Sequence, residues 1–277
     1  MITYPNAKIN IGLNVIEKRK DGYHNLETVF YPIPLMDALE ISIDESLPEP
    51  CNLKVSGEIL SGRPEDNLVV KTFHMMKSLF PQQINKPVLV HLHKHIPTGA
   101  GLGGGSSDAA FMAKSVNQKF ELNLTNEELK SIVAEIGADC PFFIENKPVF
   151  AEGVGDVFSK IQLSLAGKTI VLVKPDIFVS TRDAYSMVSP TQPESHLPEL
   201  LKQPISRWKD TIVNDFEVSV FRKYPEVAAI KDRLYDLGAL YASMSGSGSA
   251  VYGIFDNQLE YVDEIFAGYF CRQRVLE

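Results

Sequence analysis

The sequence predicts an α+β fold in two domains, residues 1–160 and residues 161–277. Three observations carry this reading. The first 45 residues read as strands, a strand near residue 90 runs into a glycine-rich loop that opens a helix, and a strand–turn–strand–helix–strand series closes the chain.

Ile9, Ile11, Leu13 and Val15 alternate with Asn10, Gly12 and Asn14, the period of two expected of a half-buried strand. A turn at Arg19-Lys20-Asp21-Gly22 leads to a second alternating run over 26–33, and residues 39–43 form a third. Pro and Glu then cluster over 45–50, predicting a surface loop. Leu68, Val69, Thr72, Phe73, Met76 and Leu79 recur at helical spacing, with Asn67 or Asp66 as N-cap. Residues 88–95 read as a strand, and a helix with Ala109, Ala110 and Ala113 is predicted from Asp108. Thr125 and Glu128 form a capping box for the next helix, which is predicted to stop at a left-handed Gly137. Residues 142–161 read as β-rich, broken at Gly153 and Gly155, and 169–174 as a central strand. The domain boundary falls between Phe158 and Lys168. Helical patterns cover 214–221 and 227–237. A strand at 241–244, the turn Ser245-Gly246-Ser247-Gly248-Ser249, a strand at 250–255, a helix from Leu259 and a strand near Tyr269 complete the second unit.

With 44% hydrophobic and 22% charged residues in 277, the composition is that of a globular protein and excludes a disordered or fibrous chain. A formal net charge of -8 argues against broad, sequence-independent nucleic-acid binding, which needs an excess of Lys and Arg. It leaves room for a small anionic substrate held by a few local cations. Cys51, Cys140 and Cys271 lie far apart without metal-ligand spacing, which fits reduced thiols. The N-terminus lacks a basic stretch followed by an apolar one, and no apolar run approaches the ~20 residues needed to span a bilayer. The expectation is a cytoplasmic enzyme or binding protein with no membrane or nucleic-acid partner, monomeric or homodimeric.

Five glycines fall within seven residues of the loop Pro97-Thr98-Gly99-Ala100-Gly101-Leu102-Gly103-Gly104-Gly105-Ser106-Ser107. Without a Cβ the backbone reaches positive φ and approaches a ligand closely. Successive N–H groups can converge on one concavity, and the helix start adds partial positive charge, which suits a polyphosphate. A flexible linker has similar composition, but the strand–loop–helix context and the embedded Leu102 oppose it. A Walker A loop needs Lys after its last glycine, and here Ser106 follows Gly105. Gly99, Gly101 and Gly104 match GxGxxG, but the loop is far from the chain start and Glu121, at the distance of a ribose-binding acid, lies in a polar, loop-like stretch. The HRD and DFG segments of protein kinases are absent.

The loop PTGAGLGGGSSDAA, preceded by Pro5-Asn6-Ala7-Lys8-Ile9-Asn10 and followed by Ser245-Gly246-Ser247-Gly248-Ser249-Ala250, resembles the three ordered motifs of the GHMP kinases. Asp21-Gly22-Tyr23-His24 with Leu26 and Thr28, then GADCPFF from Gly137 and AEGVG from Ala151, look like one branch of that family. That branch phosphorylates the 2-hydroxyl of a cytidine-diphosphate-linked polyol on the non-mevalonate route to isoprenoid precursors. The resemblance implies a ribosomal-protein-S5-like N-terminal domain, a ferredoxin-like C-terminal domain, ATP as phosphoryl donor and Mg²⁺ as its companion.

It also implies roles. Asp139 would be the catalytic base, although an Asp in a turn is by itself more often a local cap. Lys8 would pair with Asp139 and contact the acceptor oxygen, although a strand Lys is usually solvated. Asn10 would share its face and bind the polyol or phosphate. Tyr23 would stack on cytosine, His24 would hold the base edge, and Thr181 and Tyr185 would line the other side. Asn67, with nearby Lys94, would contact adenine. Ser107 offers a hard hydroxyl ligand for Mg²⁺ or the β-phosphate. His91, His93 and His95 alternate on one strand face, but spacing of ~6.6 Å is too wide for neighbours to share a zinc ion, so they read as a solvated face. The alternatives are a mevalonate- or homoserine-type GHMP kinase, a non-catalytic nucleotide-binding module, and a dinucleotide oxidoreductase.

Overall fold

In chain order, the N-terminal strands are β1 (Ile2–Thr3), β2 (Asn6–Lys18), β3 (His24–Met36), β4 (Ala38–Ile43) and β5 (Cys51–Gly57). There follow α1 (Leu68–Leu79), β6 (Val88–Lys94), α2 (Gly104–Lys119), α3 (Asn126–Ala134), α4 (Phe142–Glu145), β7 (Val149–Glu152), β8 (Val157–Lys160) and β9 (Thr169–Lys174). The remainder comprises α5 (Thr181–Tyr185), α6 (Leu197–Leu200), α7 (Ile205–Trp208), α8 (Phe216–Lys223), α9 (Pro225–Asp236), β10 (Tyr241–Met244), β11 (Val251–Phe255), α10 (Val262–Ile265) and β12 (Phe270–Val275). This is a computed structural model, and it describes residues 1–58 and 62–277.

The chain forms two compact units, each assembled from separated segments. The first contains Met1–Ala7, Leu35–Thr98 and Gly103–Lys147. Its sheet has the order β1-β4-β6-β5, antiparallel except for the parallel β5–β6 pair. Helix α1 buries Val69, Val70, Phe73 and Met76, the stripe its spacing demands, and packs on α2. Small residues on α2, Ala109, Ala110 and Ala113, are fully buried, and such short side chains permit close helix approach. Asn67 caps α1 by accepting from Val69 N at 2.9 Å, and the Thr125–Glu128 capping box on α3 is complete.

The second unit contains Lys8–Pro34, Gly99–Leu102 and Pro148–Glu277. It holds the sheets β2-β3-β7-β8 and β10-β11-β9-β12. β9 is central, paired antiparallel with β11 and β12, and its apolar run buries Val171 and Val173 with Phe216, Val220, Val227 and Leu234 of α8 and α9. Losing one such fully buried leucine side chain costs ~2–5 kcal/mol.

Several expectations need correction. β2, expected to be half-buried, is buried on both faces along residues 6–13, Lys8 and Asn10 included. α2 starts at Gly104, four residues before Asp108. α3 ends at Ala134, and Gly137 is not among the left-handed glycines; its N–H instead continues the turn to Val133 O at 3.3 Å. Residues 142–145 are helical, because their apolar side chains are all buried and the turn runs on from Pro141 until Asn146 takes φ 56°. β5 and α5 were not expected.

Candidate active site

The glycine loop is built by backbone conformation. Gly99, Gly101 and Gly103 have φ of 60°, 76° and 69°, and Gly103 is the N-cap of α2. A Cβ on Gly101 would lie 1.9 Å from Ser245 O, so a side chain there is excluded by backbone. The first helical bond of this turn is Ser107 N to Gly103 O, 2.9 Å. The preceding amides of Gly104, Gly105 and Ser106 head a sixteen-residue helix, where orphan N–H groups and the macrodipole favour an anion. Ser107 is fully buried and its Oγ makes no hydrogen bond to protein. Ser106 hydrogen-bonds to Cys140, whose thiol burial pushes up to about 11, so it stays protonated at neutral pH.

Beside this helix start, still within the first unit, lies a cavity of about 590 Å³ lined by Asn67, Leu68, Lys94, Thr98, Gly105 and Asp108, with others. Lys94 Nζ donates to Asp37 and, at 2.7 Å, to Asp108, with all three side chains buried. The other oxygen of Asp37 accepts from the N–H groups of His95 and Ile96 at 2.5 and 2.8 Å, fixing the chain where it enters the loop. Burial opposes the Lys94 charge, but Asp108 and Asp37 outweigh it and hold its pKa above the ordinary lysine value. Lys94 is therefore a charged clamp between β6, β4's leading turn and α2. His91 and His93 lie on the exposed face of β6, as expected of a solvated face.

In the second unit, Lys8 is only 4% exposed. Its N–H donates to Leu102 O at 3.0 Å, tying β2 to the loop. Its ammonium donates to Asn10 Oδ1 and lies 4.7 Å from the centre of the Phe30 ring. Farther along β3, the His24 ring stacks on Tyr185 with centroids 4.6 Å apart and 24° between planes, and Tyr185 meets Phe216 edge-on. Desolvation, with the nearby Lys18 charge, lowers the His24 pKa, which favours the neutral imidazole. Tyr23, the preceding residue, is 66% exposed. Thr181 opens α5 and is exposed; Ser180 caps that helix through Asp183 N at 3.1 Å. Asp139 stands half-buried in the turn between α3 and α4 of the first unit.

The structure thus gathers Lys8, Asn10 and the loop residue Leu102 in one place, His24 with Tyr185 in another, and Asn67, Thr98 and Gly105 around one cavity. Phe30, Asp37 and Asp108 were missed. Phe30 follows Thr28 by two on an alternating strand, which was the available signal; nothing local marked Asp37 as a partner of Lys94, 57 residues away. Among the described residues no cluster of three or more His, Cys, Asp or Glu is arranged to hold a metal ion.

Two family models match, the GHMP kinase N-terminal domain over residues 67–147 and the GHMP kinase C-terminal domain over residues 197–265. A Bacteroides fragilis protein named 4-diphosphocytidyl-2-C-methyl-D-erythritol kinase is 55% identical over 277 residues, covering all of both chains. This chain belongs to the GHMP kinase family. The crystal structure of a 4-(cytidine 5'-diphospho)-2C-methyl-D-erythritol kinase superposes with a TM-score of 0.79 at 29% identity, covering 99% of this chain and 98% of the other. A homoserine kinase from Cytophaga hutchinsonii superposes with a TM-score of 0.66 at 16% identity, covering 98% and 94%, and shows the shared fold alone. As a GHMP kinase the protein is an ATP-dependent small-molecule kinase with a two-domain α+β fold. Among its described residues no helix is long and apolar enough to cross a membrane.

Proposed function

We propose that this GHMP kinase transfers the γ-phosphoryl group of ATP to the 2-hydroxyl of 4-diphosphocytidyl-2-C-methyl-D-erythritol, releasing ADP. The observation that carries the reading is the buried Lys8–Asn10 pair, hydrogen-bonded by its backbone to the glycine loop. A buried cation of this kind meets the charge that spreads over the phosphoryl oxygens in transfer.

The residues present fit a nucleoside triphosphate. The N–H groups of Gly104, Gly105 and Ser106 head α2 toward the phosphates, and the cavity lined by Asn67, Leu68 and Lys94 has room for the adenine ring. The unpartnered hydroxyl of Ser107 fits a hard cation or a β-phosphate oxygen. Mg²⁺ bound there would neutralise phosphate charge. Asp139 takes the proton of the attacking hydroxyl, and Lys8 meets the negative charge that develops. Asn10 holds the polyol. Neutral His24, stacked on Tyr185, presents ring nitrogens to the cytosine edge; Tyr23, exposed on the preceding turn, closes over the base, with Thr181 at the rim.

ADP release measured across the cytidine diphospho-polyol, mevalonate and homoserine tests this. Turnover of the first alone, with inhibition by CDP, is expected; turnover of either other alcohol without inhibition by CDP would replace the reading with that rival. Asp139→Asn is expected to lower kcat by ~10²-fold or more while both substrates still bind. Near-normal turnover in a folded variant would remove Asp139 from the role of base.

A further inference from the structure

We propose that Thr28 is a positioning residue whose hydroxyl fixes the direction of the Asn10 amide, and through it the direction of the Lys8 ammonium. This rests on Lys8 serving phosphoryl transfer. Thr28 belongs to the motif that follows the Asp21-Gly22 turn, and it touches neither the stacked pair nor the glycine loop in any bond described above.

The argument is one of hydrogen-bond polarity. A threonine hydroxyl carries one proton and two acceptor lone pairs. Thr28 Oγ1 lies 2.6 Å from Gly12 O, a carbonyl that only accepts, so the Thr28 proton is committed there. Toward the Asn10 side chain, 2.9 Å away, Thr28 therefore acts as acceptor, and Asn10 must present its NH₂. The Asn10 Oδ1 then faces the other way, where the Lys8 ammonium donates to it. Both ends of the chain have fixed polarity, a carbonyl at Gly12 and an ammonium at Lys8, which settles an amide orientation that shape alone does not. A reversed amide would set NH₂ against NH₃⁺. Lys8, Asn10 and Thr28 are 4%, 3% and 1% exposed, so bulk water does not relieve that conflict.

The backbone of Asn10 is pinned independently. Its N–H donates to Ser245 Oγ at 3.2 Å and its carbonyl accepts from Tyr252 OH at 2.8 Å. Rotation of the amide is what these bonds leave open, and Thr28 closes it. Thr28 and Phe30 are two apart on β3 and share a face, so one strand face supplies both the polarity reference and the ring against Lys8.

Thr28→Val keeps the shape and removes both hydrogen-bonding functions; Thr28→Ser restores them. T28V is expected to lower kcat by about tenfold or more with KM for ATP within about twofold, and T28S to recover kcat to within about threefold. Nitrogen-15 spectra of the Lys8 side chain provide a readout apart from turnover: the Lys8 ammonium signal should shift or broaden in T28V and persist in T28S. A T28V protein with lowered unfolding midpoint but wild-type kcat and an unchanged Lys8 signal would make Thr28 a packing residue only. T28S as inactive as T28V would also overturn the proposal. If T28V does not fold, T28A is carried through the same measurements with the same expected losses. Should the wild-type protein fail to turn over the cytidine substrate, the reaction reading falls, and the Lys8 spectra alone decide whether Thr28 sets its position.

Discussion

Two glycine-rich turns of similar spelling do different work. Residues 99–105 lead into a sixteen-residue helix, whose first backbone N–H groups have no partner within the helix. Residues 245–249 join the antiparallel strands β10 and β11, and their groups are consumed by packing. Ser245 Oγ donates to Gly101 O at 2.8 Å and accepts from Asn10 N; Asn214 Nδ2 donates to the carbonyls of Met244 and Gly246, each at 2.8 Å. Ala250 N donates to Ala100 O at 3.2 Å. The second turn is thus the bed on which residues 99–102 lie. Glycine opens a helix at Gly103 and packs against neighbouring backbone at Gly101, and composition alone does not separate the two uses.

Gly101 is where the turns touch, and substitution there should have the largest effect on stability. Gly101→Ala combines φ of 76° with a Cβ 1.9 Å from the Ser245 carbonyl oxygen. It should destabilise the fold by about 3 kcal/mol or more, read by denaturant unfolding. Wild-type stability would break the claim that the turns are packed backbone to backbone. Next comes Asn214→Ala, which removes the amide donor to two buried carbonyls, Gly246 O in the second turn and Met244 O at the end of β10, the latter also accepting from Ser243 Oγ at 3.3 Å, and removes the acceptor of Phe216 N. A loss of about 2–3 kcal/mol is expected from the same measurement. A change within error would mean that this turn holds itself. Gly105→Ala should move stability least. The residue is not in the left-handed region, and the nearest atom to an added Cβ is on Leu68 at 3.7 Å. Stability should stay within about 0.5 kcal/mol of wild type or rise slightly, since Ala favours helix. Its apparent affinity for ATP should nevertheless fall roughly fivefold, because the methyl group intrudes where phosphate approaches the helix start. Unchanged affinity would deny this face to the nucleotide.

Much of the chain was legible because its determinants are local. The Thr125 capping box, the Asn67 cap, the alternation along β2 and β3 and the apolar run of β9 each depend on residues within a few positions of one another. Less legible was α2, whose first turn is Gly104-Gly105-Ser106-Ser107: glycine there signals a loop, but the helix is carried by burial of Ala109, Ala110, Met112 and Ala113. The stretch from Phe142 was misread for a related reason. A short run of bulky apolar residues suits a strand or a buried helical turn equally, and packing decides between them.

The site divides the same way. The capacity of the 99–105 backbone for positive φ and the order of the three motifs were determined by the sequence alone, since the freedom of a residue without Cβ is a property of that residue; which glycines use it, Gly99, Gly101 and Gly103 but not Gly104 or Gly105, was decided by the structure. Whether a polar side chain is solvated or buried was decided only by the tertiary structure. A strand lysine is usually solvated, yet Lys8, to which the resemblance gives a catalytic role, is buried; Lys94, read as lying near the adenine site, is buried and clasped by Asp37 and Asp108. Thr28 became meaningful only when Gly12, Asn10 and Lys8 were placed beside it. Desolvation and hydrogen-bond pairing depend on what lies opposite in space, and that partner comes from a part of the chain no local pattern names.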